Sequence, residues 1–219
     1  MAPPPPTWTG TYIGINGGYS WSTTNLTDLF GVTTGDFSQS GGMAGITYGG
    51  NWQAGHWVLG FESDLDWADI NGTLTTAGPP LGLCSLNGGT TCFTKMKAFS
   101  TERMRAGYDL DGWLLFATGG VAFGRVHAGE TPCGPDALGG VSCDEKWRSG
   151  WVGGVGVEKM FAPHWSAKLE YLHYDLGNSI QFPSASVGGG NSVKVLERGD
   201  MVRLGINYQF DFLNLLHLN

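Results

Sequence analysis

Eight separated stretches of this chain alternate apolar with small or polar side chains at every step. A period of two places successive side chains on opposite faces of an extended strand, so the pattern excludes helix as the main element. The first stretch, residues 9–21, puts Ile13, Ile15, Tyr19 and Trp21 on one face and Gly14, Asn16, Gly18 and Ser20 on the other. In the third, residues 57–67, Trp57, Leu59, Phe61, Leu65 and Trp67 alternate with Val58, Gly60, Glu62, Asp64 and Asp66. The others span residues 41–52, 95–110, 113–126, 147–161, 165–176 and 199–210. No run of about 20 apolar residues is present that would cross a membrane as a helix.

Alternation alone does not say which face meets water. A soluble antiparallel barrel has its apolar face inside, and its polar face is then charged and abundant. Here only 14% of residues are charged, while 37 are glycine, 11 Phe, 9 Trp and 7 Tyr. The polar positions are mostly Gly, Ser, Thr and Asn, too small and uncharged for a solvated exterior. The chain therefore reads as all-β: a transmembrane antiparallel up-and-down barrel of eight strands, apolar side chains toward lipid and polar ones toward the lumen. Closure removes sheet edges that lipid cannot solvate.

The connections alternate in length. Those at 53–56, 109–112 and 162–164 are short; those at 22–40, 68–94, 127–146 and 177–198 are long. Outer-membrane barrels have short periplasmic turns and long extracellular loops, so both termini are expected on the periplasmic side. Three segments follow: a Pro-rich periplasmic leader at 1–8, the barrel at 9–210, and an apolar tail at 211–219. Residues 3–6 are all proline, with no basic or apolar export region before them, and read as the start left after a cleaved signal. Aromatics near strand ends form two interfacial girdles: Tyr12, Trp52, Trp57, Trp113, Trp165, Tyr208 and Phe210 at the short-turn rim, and Trp21, Trp67 and Trp147 at the other.

On the lumen face, Glu62, Arg103, Arg105, Glu158, Lys168, Glu170 and Arg203 lie roughly four to seven residues in from the turns, which makes one band across the barrel. Unpaired charges there would be costly, so they should pair. Arg203 with Glu170, and Arg103 or Arg105 with Glu62, are the expected pairs. Asp64 and Asp66 are expected nearer the outer mouth, as vestibule acids. Glu102 falls on the lipid face, where an outer-rim position or a bulge is expected.

Cys84, Cys92, Cys133 and Cys143 fall in two short-range pairs inside Gly/Pro/Ser-rich segments. Cys84–Cys92 and Cys133–Cys143 are the simplest disulfides, and they imply an oxidising compartment. A metal site is disfavoured, since no CxxC spacing or neighbouring histidine is evident. The histidines, His56, His127, His164, His173 and His217, are scattered. No P-loop, GxSxG or HExxH occurs, and the GGG at 188–190 has no following helix. No enzyme and no cofactor is expected; a lipid-facing hydrolytic site at His173 would need a serine and an acid beside it. His127 stands as the one loop histidine that haem would need. A net charge of −7 without a basic run excludes nucleic acid.

The stretches WTGTYIGINGGYSW (8–21), RAGYDLDGWLLFATGGVAFG (105–124), AKLEYLHYDLG (167–177) and VRLGINYQF (202–210) resemble the Omp25/Omp31-type porin-family barrels of α-proteobacteria. So does the spacing around 49–57, and the likeness covers nearly every strand. The resemblance implies an eight-stranded barrel like the OmpA transmembrane domain, surface exposure and association with outer-membrane lipids and lipopolysaccharide. Some relatives are reported as porins or haem binders. The chain departs from the pattern by continuing past Phe210 into DFLNLLHLN, a segment suited to the periplasmic interface or to a partner contact. The functional expectation is a structural and surface-interaction barrel with a charge-plugged lumen, disulfide-pinned loops and an envelope or surface protein partner held by loops or tail. The alternative is a narrow ion or small-solute channel gated by the lumen charges.

Overall fold

A computed structural model of the chain describes residues 7–27, 33–75, 91–131, 133, 143–184 and 191–210. The expectations for Cys84, His217, residues 188–190, most of the leader and the 211–219 tail fall outside them. Eight strands follow in order: β1 Gly10–Thr27, β2 Phe37–Ala54, β3 Trp57–Thr75, β4 Thr91–Asp109, β5 Trp113–Thr131, β6 Cys143–Ala162, β7 Trp165–Ser184 and β8 Asn191–Phe210. Each pairs antiparallel with the next, and β8 pairs back onto β1 through Ile13 with Tyr208 and Ile15 with Ile206. The sheet is a closed eight-stranded barrel.

The short turns set the register. Between β4 and β5, Leu110 and Trp113 exchange two backbone hydrogen bonds around Asp111 and Gly112. Both central residues have positive φ, 51° and 83°. That geometry matches the twist of paired strands, and Asp-Gly is the pair that adopts it most readily. Gly55 fills the corresponding place in the β2–β3 turn with φ 62°, and His164 takes φ 67° in the β6–β7 turn.

The strands are 18 to 20 residues long, reaching further into the expected loops than alternation suggested. A membrane strand needs about 9–11 residues, so the barrel continues well beyond the hydrocarbon band. Beyond the outer girdle at Trp21, Trp67 and Trp147 the pattern inverts. Thr23, Asn25, Asn71, Lys95, Arg125 and Glu145 face outward, while Leu26, Ile70, Met96, Val126, Leu176 and Val195 are buried inside. In water this part obeys the soluble-barrel rule. Bulges between β3 and β4 at Trp67/Ile70, and between β4 and β5 at Met96/Ala98, mark the changeover.

The lipid-facing wall carries exposed Ile15, Ile46, Trp52, Leu59, Trp113, Val155, Trp165, Leu204 and Tyr208, with Phe210 at the end of β8. Tyr12 does not belong to this set. It is 3% exposed and points into the lumen, since its even place on β1 opposes Ile13 and Ile15.

Replacing Gly112 with Val should destabilise the refolded barrel by about 1–2 kcal/mol, the cost of a branched side chain in the left-handed region. Urea unfolding in phospholipid vesicles would measure it.

A charge band sealed inside the barrel

Position on the strands brings the lumen charges together. Glu62, Asp64 and Asp66 follow one another on the inward face of β3; Arg103 and Arg105 do so on β4, and Lys168 and Glu170 on β7. Glu158 comes from β6 and Arg203 from β8. Register places Glu62 opposite Arg103, Glu158 opposite Lys168, and Glu170 opposite Arg203.

Arg203 donates from Nη2 to Glu170 Oε1 at 2.6 Å and to Asp64 Oδ2 at 2.8 Å, and from Nη1 to Asp66 Oδ2 at 2.8 Å. Arg103 reaches Glu62, Asp64 at 2.6 Å and Glu170 at 2.9 Å. Lys168 Nζ is 2.6 Å from Glu62 Oε1 and 3.4 Å from Glu170 Oε1. Arg105 donates to Glu158 at 2.6 Å, to Glu62 at 3.3 Å and to the Tyr12 hydroxyl at 3.0 Å, with its guanidinium 4.4 Å over the Phe116 ring. Tyr12 in turn donates to Glu62 at 2.8 Å. A Cβ on Gly49 would stand 2.4 Å from the Tyr12 ring, so the glycine makes the room that this reach requires.

Asp64 and Asp66 are not vestibule acids. Each is 1% exposed and held by Arg203, and Asp64 also accepts from Thr47 and Thr101, both at 2.8 Å. Distance along β3 put them nearer the outer mouth, but the arginines of β4 and β8 reach up to them. They join Glu62, Glu158 and Glu170 as five carboxyls facing the four cations Arg103, Arg105, Lys168 and Arg203.

Two apolar layers enclose the band, and alternation indicated neither. On the short-turn side lie Trp8, Val58, Leu114 and Phe116. Trp8, at the end of the Pro-rich leader in sequence, is buried, donating from Nε1 to Asp109 at 3.0 Å and from its backbone to Gln53 at 2.8 Å. On the other side Phe99 and Tyr174, ring centroids 5.0 Å apart, begin a buried cluster with Met43, Ala122, Leu172 and Met201 that continues to Ile70 and Val195. Its signal was the run of apolar residues at inward positions beyond the outer girdle.

Above that girdle the outer surface carries paired charges. Lys95 lies 2.7 Å from Asp69, and Lys97 and Arg125 both engage Glu145. Hydrogen bonds from Lys95 and Lys97 hold these two carboxyls below their ordinary range. Glu102 does face outward, its carboxylate accepting from Ser63 at 2.7 Å; the β4 bulge lies further out, at Lys97.

Cys133 and Cys143 form a disulfide, and Cys92 is buried and disulfide-bonded. His127 is on β5 rather than in a loop, and a ring nitrogen lies within 4.8 Å of both Cys133 and Cys143 sulfurs. A histidine does therefore neighbour this pair. Joined to each other, the sulfurs are not thiolates, and thiolate is the form that ligates metal. His173 Nδ1 is 2.8 Å from Asp200 Oδ1. Its cross-strand partners are Gly153 and Asp200, so no serine stands opposite it.

Closed register, a lipid-facing apolar wall and a charge-filled interior define a small membrane-spanning β-barrel of the bacterial outer-membrane class. The chain belongs to the outer membrane protein beta-barrel domain family, whose pattern it matches over residues 2–210. It is 31% identical to the 31 kDa outer-membrane immunogenic protein of Brucella melitensis biotype 1, over 93% of this chain and 84% of that protein. It is 26% identical to the 25 kDa outer-membrane immunogenic protein of Brucella abortus biovar 1, over 93% of this chain and 79% of that one. Among solved structures it shares the fold of the outer membrane protein OprG from Pseudomonas aeruginosa, with TM-score 0.54, 16% identity, and 93% and 97% of the two chains covered.

Replacing Arg203 with Met leaves Asp66, Asp64 and Glu170 short of a cation and should cost about 3–5 kcal/mol, the usual result of breaking a buried ion pair from one side. Adding Glu170→Gln should restore part of that loss. Equilibrium urea unfolding of both variants in vesicles tests the coupling.

Proposed function

We propose that this protein is a closed barrel, a structural and surface-display element of the outer membrane rather than a channel or an enzyme. One observation carries the reading: the charge band is covered on both sides by apolar layers. Exchange of partners within the band would move charges but leave Phe99, Leu172 and Met201 on one side and Trp8 and Leu114 on the other across the path of any ion. A hydrated ion would have to shed water to pass these side chains, at a cost of several kcal/mol.

The alternation of short and long connections supports an orientation with both termini periplasmic and the Cys133–Cys143 disulfide outside. The related Brucella proteins are named as immunogenic outer-membrane proteins; for this chain we infer that the long connections are displayed at the surface. Outward-facing Lys95, Lys97, Arg125 and Arg198 just beyond the outer girdle suit the phosphate-rich headgroups of lipopolysaccharide. A protein partner would be met through the long connections or the 211–219 tail.

In planar bilayers the refolded protein should show no conductance steps. A steady open conductance would refute the closed reading. Brief openings whose frequency changes in Arg203→Ala would replace it with a gated path through the charge band.

A further inference from the structure

The chain has twelve lysines and arginines. Four lie in the charge band, and Arg148 faces inward above it. Lys95, Lys97, Arg125, Lys146, Lys194 and Arg198 lie toward the long connections. Lys159 alone stands at the short-turn rim, and it faces outward. On β6 it shares the outward face of Val155, Val157 and Phe161, and it pairs with Trp113 on β5 and Ala167 on β7, both girdle-side positions. Its ammonium lies 4.9 Å from the centre of the Trp113 ring, and among the described residues no carboxylate comes within ion-pair distance.

Directly beside it the wall is hollowed. A groove of about 680 Å³ is lined by Gly17, Val157 and Ala167 as its shallow floor, with Trp113, Leu169 and Leu204 rising around it. It extends from the Lys159 rim toward the middle of the lipid-facing wall, since Gly17 is opposite Leu204, six residues from the end of β8. A lysine on a flexible stem places its charge at headgroup level while its methylenes stay in the apolar layer. Cation and apolar groove are thus arranged as the two ends of one amphiphile would require.

We propose that this rim holds a diacyl phospholipid with an anionic headgroup, its phosphate on Lys159 and an acyl chain in the groove. The Trp113 face keeps the ammonium at the interface, where an aromatic ring is itself favoured. Charge complementarity selects the occupant, because a zwitterionic lipid cancels most of the attraction. That this rim meets the periplasmic leaflet rests on the orientation proposed above; the site itself does not depend on it.

The test uses the full chain refolded in detergent micelles and presented with dioleoyl phosphatidylglycerol or dioleoyl phosphatidylcholine, read by native mass spectrometry. The wild type should retain one phosphatidylglycerol in preference to phosphatidylcholine. Lys159→Gln should lower phosphatidylglycerol retention about fivefold, the worth of one lysine at an anionic surface. Gly17→Phe should lower retention of both lipids. A side chain there meets nothing closer than 3.7 Å at its Cβ, so the variant fills the groove without disturbing the wall. Heat-modifiable migration on gels confirms that each variant is folded. Equal retention of the two lipids by the wild type, or unchanged phosphatidylglycerol retention in Lys159→Gln or Gly17→Phe, would overturn the proposal. Conductance is not read, so a failure here leaves the closed-barrel reading separately testable.

Discussion

Charged groups removed from water must find each other or revert to neutral forms, and inside an eight-stranded barrel there is little room for water to mediate. The lumen of this protein meets that constraint by stacking cations and carboxyls from five of its strands into one contiguous band. Arg203 and Arg103 each bridge three carboxyls, so Glu62, Asp64 and Glu170 each keep a second cation should one partner swing away. Such a band adds little net stability compared with an apolar filling of equal volume. What it supplies is register. Sliding any of β3, β4, β7 or β8 by one residue would turn its charges into lipid.

The rest of the interior follows from that arrangement. A buried ion network keeps its strength only while bulk water is kept away, because the surrounding dielectric sets the attraction. Trp8 and Leu114 on one side and the Phe99–Tyr174 pair on the other provide that exclusion. Trp8 reaches its place from outside the strands, anchored through Gln53 and Asp109 in the short-turn region. Trp8 is therefore part of the seal.

Much of the architecture is legible in the sequence, because lipid on one side of a sheet imposes a strict period of two. Strand order, the three short turns, closure and the face on which each charge of the band lies all follow from counting; the inward Arg148 and Glu197 do not, because they belong to the outer extensions. Tyr12 shows where counting should have prevailed over composition: its aromatic character suggested the girdle, while its parity with Asn16 and Ser20 placed it inside. Depth is harder than face. Asp64 and Asp66 were assigned by distance along β3, but strand tilt and the length of an arginine side chain bring β4 and β8 groups to them. The outer extensions were invisible for another reason. Once a strand leaves the membrane its outward positions turn polar, and its inward ones mix apolar side chains with buried Thr24, Gln39, Arg148 and Glu197, so the alternation loses its sense and reads as a loop.

That reversal also locates the membrane boundary more sharply than the girdles do. At Trp67 the outward face of β3 is still aromatic, and at Asp69 and Asn71 it is charged and polar, with a bulge between. The extra residue lets β3 and β4 change the chemistry of their outer face without losing closure. Glu102 lies on the membrane side of that line, on the same outward face as Met104, and among the described residues only the Ser63 hydroxyl donates to it. A carboxylate in that position is costly in proportion to its depth. Leu65 and Trp67 stand exposed beyond it on β3, so the carboxylate lies within the apolar wall rather than at its edge, and the Ser63 hydroxyl satisfies it there.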